Sequence, residues 1–455
     1  MSNVRKLFGT DGIRGKANVY PMTGDIAFIL GRAVTAHFQK YNRRNKQPLI
    51  IVGKDTRRSC YMLEQAFSAG VCAQGGDVVL TGPLPTPGVA FVTQSMRADA
   101  GVMISASHNA FDDNGIKIFD AHGFKLPDEV EAELERLIEN PHLLEIKLGA
   151  DLGRAKRLEE VFGRYLVHTK SVFPPQFDLE GLRIVLDCAN GAGYKIAPMM
   201  FRELGAEVIA LGTEPNGQNI NLESGALHPE RAAEAVVKYR ADIGICLDGD
   251  ADRLVVIDEK GKVIDGDKII GLFAKHLKDT NVLKMGDKVV GTVMSNLGLE
   301  KFVKSLGLEF LRTKVGDRYI IEELRSSGSI LGGEPSGHII FQNLSTTGDG
   351  ALAGLKFIET MKFYNKKASQ LVSDIPLFPQ VLKNCKVKKK PDFGEVPAIV
   401  TALKKAETDL GEKGRVLLRY SGTENLARVM VEGQDEKQIN GVCDSLATIV
   451  GKELN

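Results

Sequence analysis

Two serines follow an apolar run in GVMISASHNAFDDNGIKIF, where Ser105 and Ser107 precede His108, Asn109, Asn114 and Lys117. A serine hydroxyl is a poor nucleophile unless a base or a charge activates it. The chain has no Gly-x-Ser-x-Gly elbow, so a hydrolase triad is not supported. A serine carrying a phosphoryl group fits better, with Lys117 and His108 steadying negative charge, because phosphoryl transfer relies mainly on positioning and neutralisation. Taken alone, SASHN also reads as an ordinary Ser/Asn turn.

LDGDADR sets Asp248, Asp250 and Asp252 at alternate positions just past another apolar run. In extended backbone such positions share one side. Three converging carboxylates repel one another and need a cation or protons to coexist. An all-oxygen donor set suits Mg²⁺. Arg253 follows as a phosphate partner. The calcium loop of an EF-hand, with its terminal Glu, is missing. The bland alternative is an acidic turn that caps a helix.

Two further loops carry ligand-type chemistry. GGEPSGH brings together Glu334, Ser336 and His338, acceptors suited to sugar hydroxyls or an amino group, although a polar turn reads the same way. RYSGTENLAR combines Arg419, Ser421, Gly422, Thr423 and Arg428 into a phosphate cradle without the spacing of a P-loop. LFGTDGIRG adds Thr10, Asp11 and Arg14, and TKVGDR adds Asp317 and Arg318. Each of these is weak alone.

The elements that must position these loops form an internal repeat of pattern. PLIIVGKDTR, RIVLDCANG and KVVGTVMSN each open a copy, DVVLTGPLPTP, AEVIALGTEPNG and LEFLRTKVGDR follow, and AGVMISASHNA, ADIGICLDGDADR and GSILGGEPSGH close it. Strands alternating with helical stretches predict three α/β domains with mixed, largely parallel sheets. Ligands bind beyond the carboxyl ends of such strands, so three equivalent edges are expected around one central cleft. The last segment changes style to a smaller C-terminal α+β domain with antiparallel strands. The expected limits are 1–155, 156–257, 258–373 and 374–455.

A length of 455 residues exceeds what one core usually holds, and the 43% apolar fraction is that of a folded protein. Lys plus Arg (59) nearly cancels Asp plus Glu (58), so no global field draws nucleic acid or membrane. No apolar run reaches the ~18 residues of a membrane span. Six scattered cysteines without metal spacing read as reduced thiols in the cytoplasm.

Taken in order, LFGTDGIRG, GVMISASHN with DNGIK, DGDADR, VGDRY, GGE-SGHI and SGTE with RVMVEG resemble the α-D-phosphohexomutase superfamily along the whole chain. The resemblance implies four domains and a phosphoserine at Ser107. It implies Mg²⁺ held by Ser107, Asp248, Asp250 and Asp252, and Lys117 as general acid/base, with His108 and Arg14 in the catalytic group. Thr10, Asn109, Arg253, Asp317, Arg318, Glu334, Ser336 and His338 would contact substrate. Arg419, Ser421, Gly422, Thr423 and Arg428 would hold the phosphate that is not transferred. The implied reaction interconverts glucosamine 6-phosphate and glucosamine 1-phosphate, a hexosamine phosphate step toward UDP-N-acetylglucosamine. Glucosamine or glucose 1,6-bisphosphate would be the activator, and a homodimer is compatible with the resemblance. Ala110, Pro335, Tyr420 and Asn425 depart from the family pattern. Rival readings are a glucose or mannose phosphomutase, an aspartyl-phosphate phosphatase using Asp248 or Asp250, and a non-catalytic sugar-phosphate binder.

Overall fold

The computed structural model describes residues 7–9, 11–41, 47–158, 160–421 and 425–455. Thr10, Gly422 and Thr423 lie outside the described residues.

The first sheet contains β1 (Phe8–Gly9), β2 (Gly12–Lys16), β3 (Leu49–Lys54), β4 (Asp77–Pro83), β5 (Ala100–Ile104), β6 (Asp113–Asp120) and β7 (Ala155–Arg157), in the order β1-β2-β6-β5-β3-β4-β7. The second contains β8 (Arg183–Asp187), β9 (Glu207–Leu211), β10 (Ile243–Leu247), β11 (Leu254–Ile257) and β12 (Val263–Ile264), ordered β12-β11-β10-β8-β9. The third contains β13 (Lys288–Thr292), β14 (Glu309–Thr313), β15 (Leu331–Gly333) and β16 (Ile339–Phe341), ordered β14-β13-β15-β16.

The repeat expected from the sequence is present as topology. In each copy the first strand lies between the second and the third, all parallel: β4-β3-β5, β9-β8-β10 and β14-β13-β15. A strand then returns antiparallel beside the third, as β6, β11 and β16. β5 and β10 are buried along their whole length, as their unbroken apolar runs require. The edge strand β12, antiparallel to β11, keeps residues 263–264 in the second sheet, and β7 keeps 155–157 in the first.

β17 (Gln380–Lys386), β18 (Gly414–Tyr420) and β19 (Leu426–Gly433) form an antiparallel sheet in the order β17-β19-β18, backed by helices Pro397–Leu410 and Glu436–Leu454. One apolar cluster runs from Ile51 to Ile375 through the first three units, whereas the C-terminal unit has its own core from Val387 to Leu454. Three units thus share a core and the fourth does not. No helix among the described residues is long and apolar enough to cross a membrane.

The seam between the third and fourth units is polar. Arg415 pairs with Glu432 and donates to the carbonyls of Val293 (2.9 Å) and Ser295 (2.8 Å). Asn296 exchanges two bonds with the Phe378 backbone, and its own N–H donates to Asp267 Oδ2 at 2.7 Å. The other oxygen of Asp267 is buried without a partner. Burial, with Asp265 and Glu432 nearby, lifts this carboxyl to about 7. A carboxyl whose folded pKa exceeds its unfolded value binds more protons when folded. Stability therefore falls as pH rises from about 4 to about 7, by an upper limit of about 4 kcal/mol, and is level above that. Asp267→Asn is expected to raise the Tm at pH 8 and to lose that advantage near pH 4; equal melting shifts at both pH values would contradict this account.

Candidate active site

The ends of the three third strands meet. Ser107 lies three residues beyond β5, Asp248 directly follows β10, and Glu334 directly follows β15. Ser107 Oγ donates to Asp248 Oδ2 at 2.6 Å, so the first two units touch at the atoms the sequence singled out. Ser107 is only 1% exposed and adopts φ +51°, a left-handed conformation that costs roughly 1 kcal/mol in a non-glycine residue. Its N–H is held by Ser105 Oγ at 2.9 Å, and Ser105 in turn donates to Asp55 at 2.6 Å. Gly249 lets the two loops approach, since a Cβ there would collide with the Ser107 carbonyl.

Asp248, Asp250 and Asp252 each offer an oxygen within 4.8 Å of the others, all buried. Burial, with Asp252 and Asp250 alongside, raises Asp248 to about 8. Burial also opposes charge on Asp252, yet Lys117, His338 and Arg253 hold it below the usual range. One oxygen each of Asp250 and Asp252 is buried without a hydrogen bond. Oxygen donors that strain against one another and retain unpartnered atoms fit a hard divalent cation. Thr86 braces the loop by donating from Oγ1 to Asp250 Oδ2 at 2.6 Å.

Lys117, on β6, is 1% exposed and reaches three carboxylates: Asp250 at 2.9 Å, Asp11 at 3.0 Å and Asp252 at 3.5 Å. Burial disfavours its charge, but Asp11, Asp250 and Asp252 outweigh it, so its pKa rises well above the ordinary value and the amine holds its proton. His108 Nδ1 lies 3.4 Å from Ser107 Oγ, and burial together with Arg253 and Arg14 lowers its pKa to about 4.

A cavity of about 380 Å³ opens over Ser107 and takes its walls from the first three units. Arg14, His108, Arg253, Asp317, Glu334 and His338 line it. Arg14 pairs with Asp11, and the nearest carboxylate to Arg253 Nε is Asp252 at 3.9 Å. His338 lies 3.6 Å from both Asp252 and Asp317. Glu334 accepts the Gly316 N–H at 3.0 Å, with Ser336 beside it at 3.4 Å on the exposed face.

Other expected contacts fall elsewhere. Arg318 lies outside the cavity lining and pairs with Asp128 and, at 2.5 Å, Glu131, so it ties the third unit to the first. Asn109 donates to Asp113 at 2.9 Å and is not in the cavity wall. Arg419 and Arg428 face each other across β18 and β19, and burial plus the like charge of Arg428 pushes the Arg419 pKa down. Neither these nor Ser421 lines the cavity. Nothing in the local sequence marks Lys125, which bridges Asp11 and Asp317 (2.5 Å), or Arg57 and Asn221, which bind the Ser107 carbonyl. GKDTR and INLES carry no spacing that distinguishes them from strand ends and turns.

Four family profiles, described as phosphoglucomutase/phosphomannomutase alpha/beta/alpha domains I, II and III and C-terminal domain, match residues 5–144, 164–261, 265–378 and 382–449. A phosphoglucosamine mutase of Nitratidesulfovibrio vulgaris (strain DP4) is 52% identical over 451 residues, covering 99% of both chains. The chain belongs to the phosphoglucosamine mutase family of phosphohexomutases.

Solved phosphohexomutases share the fold. A phosphoglucomutase/phosphomannomutase family protein from Burkholderia thailandensis superposes with a TM-score of 0.81 at 24% identity, covering 98% of this chain and 97% of that one. The N-acetylphosphoglucosamine mutase of Aspergillus fumigatus, solved with GlcNAc-6P and magnesium, gives 0.67 at 17% identity, covering 100% and 97%. The four-domain phosphohexomutase architecture expected from the sequence is the one found.

Proposed function

We propose that this protein interconverts glucosamine 6-phosphate and glucosamine 1-phosphate through a phosphoserine at Ser107. The observation that carries this is the Ser107 Oγ–Asp248 contact of 2.6 Å at the floor of a cavity lined by Arg14, Arg253 and Glu334. Phosphoserine gives its phosphoryl group to the free hydroxyl of the bound sugar phosphate: the P–O bond to Ser107 breaks, one to the sugar oxygen forms, the hydroxyl gives its proton to a general base, and the released Ser107 Oγ takes up one proton, so the step is proton-neutral overall. The bisphosphate turns over within the cleft and returns its other phosphoryl group to Ser107.

Asp248, Asp250 and Asp252, with the phosphoserine, would hold Mg²⁺, which supplies neutralisation of the transferring phosphoryl group. Lys117 holds a proton at Nζ beside these groups and serves as the acid in one direction; its conjugate amine is the base in the other. Arg14 and Arg253 orient anionic oxygens, and Glu334 receives the sugar hydroxyls or the amine. Arg419, Ser421, Gly422, Thr423 and Arg428 clamp the distal phosphate when the C-terminal unit swings on the 372–380 segment, which excludes water from the transfer. A sugar 1,6-bisphosphate primes the serine. The reading places the protein in the cytoplasm, where its thiols stay reduced.

Two measurements test this. Intact-mass analysis should find a phosphate-sized increment on Ser107. The kcat/KM for glucosamine 6-phosphate should exceed those for glucose 1-phosphate and mannose 1-phosphate by at least about tenfold, with turnover lost on chelation and restored by Mg²⁺. A clear preference for glucose or mannose would reassign the substrate, and turnover with no phosphate on Ser107 even after incubation with a sugar 1,6-bisphosphate would reassign the chemistry.

A further inference from the structure

Arg57 follows β3 and is fully buried, with a guanidinium given over almost wholly to one loop. Nη2 donates to the carbonyls of Ser107 (3.0 Å) and Asn109 (2.8 Å), and Nη1 to those of Asp113 (3.1 Å) and Ala110. Nε donates to Asp55 Oδ2 at 2.8 Å, the oxygen that also accepts from Ser105. The donors of the fork are all used, and the charge has a buried carboxylate beside it.

From the second unit, Asn221 Nδ2 donates to two of the same carbonyls, Ser107 at 2.8 Å and Asn109 at 3.0 Å. Each of these oxygens thus takes one donor from either side of the unit boundary, which uses both its lone pairs. A carbonyl left free to turn toward the cavity would point its negative end at an anionic phosphoryl group. Tying these oxygens to a guanidinium and an amide aims them away and holds Ser107 in its left-handed conformation.

We propose that Arg57 and Asn221 are positioning residues that clamp the nucleophile loop from two units, so that the hydroxyl of Ser107 stays in line for transfer. This rests on the reading of Ser107 as the phosphoryl carrier.

The experiment compares Arg57→Lys, which keeps the charge but loses the fork, and Asn221→Ala in the full-length protein. The readouts are steady-state mutase kinetics, melting temperature, and the single-turnover rate at which glucose 1,6-bisphosphate phosphorylates Ser107. Misplacement of a reacting group by an ångström costs about 100-fold. Arg57→Lys should accordingly lower kcat and the phosphorylation rate together, by about 10- to 100-fold, and Asn221→Ala by a few-fold, with KM held near the wild-type value.

A role in folding alone would lower the melting temperature and the amount of active protein, but leave kcat per phosphorylatable site unchanged, and that result overturns the proposal. So does a loss carried by KM. Should Arg57→Lys fail to fold, Asn221→Ala decides by the same criteria. Failure of the underlying reading looks different: the unaltered protein would turn over without phosphate on Ser107, and the proposal would fall with it.

Discussion

Ser107→Ala is expected to abolish mutase turnover, by about 10⁴-fold or more in kcat, while the protein still melts cooperatively. The hydroxyl donates to Asp248 across the unit boundary and lies 3.4 Å from His108 Nδ1, and it is the atom that would carry the phosphoryl group. Alanine keeps the backbone, and the bonds from Arg57 and Asn221 to the Ser107 carbonyl do not involve the side chain. Loss of the hydroxyl should therefore remove chemistry and little else. Mass spectrometry should show no phosphate increment in this variant.

Ser105→Ala is the informative control. Its hydroxyl bridges Asp55 and the Ser107 N–H, so it should reduce kcat moderately and leave the phosphate on Ser107. Substantial mutase activity in Ser107→Ala would end the assignment of the nucleophile.

Lys117→Met is expected to lower kcat by about 10³-fold and at the same time to tighten Mg²⁺ binding. The amine sits 2.9 Å from Asp250 and 3.5 Å from Asp252, where its charge competes with any cation the triad holds. Methionine approximates the volume of the side chain and removes both charge and proton. If Lys117 served only to neutralise the carboxylates during folding, bound Mg²⁺ would take over that duty and turnover would recover. If it supplies a proton to the reaction, calorimetry will report tighter Mg²⁺ binding while kcat stays low at saturating metal. Weaker Mg²⁺ binding, or full turnover at high Mg²⁺, would remove Lys117 from the acid/base role.

The sequence by itself determined the local units. Short unbroken apolar runs such as AGVMI and IGICL, bounded by polar turns, read as buried strands, and their threefold recurrence with the same following elements predicts equivalent sheets whose polar ends share an edge. The alternation of Asp248, Asp250 and Asp252 likewise announces a cation-type cluster, because that spacing is a property of a few consecutive residues.

What tertiary structure decided is which side chains meet across long separations. Ser107 and Asp248 are 141 positions apart, and Lys117 and Asp250 are 133. Their meeting depends on how units pack, which no local period encodes. For the same reason Arg318, adjacent to Asp317 in the sequence, belongs to an ion cluster with Asp128 and Glu131 rather than to the cavity. Charge states also belong to the assembled site: His108 loses its proton because burial and two arginines surround it, and Lys117 keeps its proton because three carboxylates do. Arg57 reads in the sequence as one more cation at a strand end. Only the folded chain brings four carbonyls of the Ser107 loop to its fork.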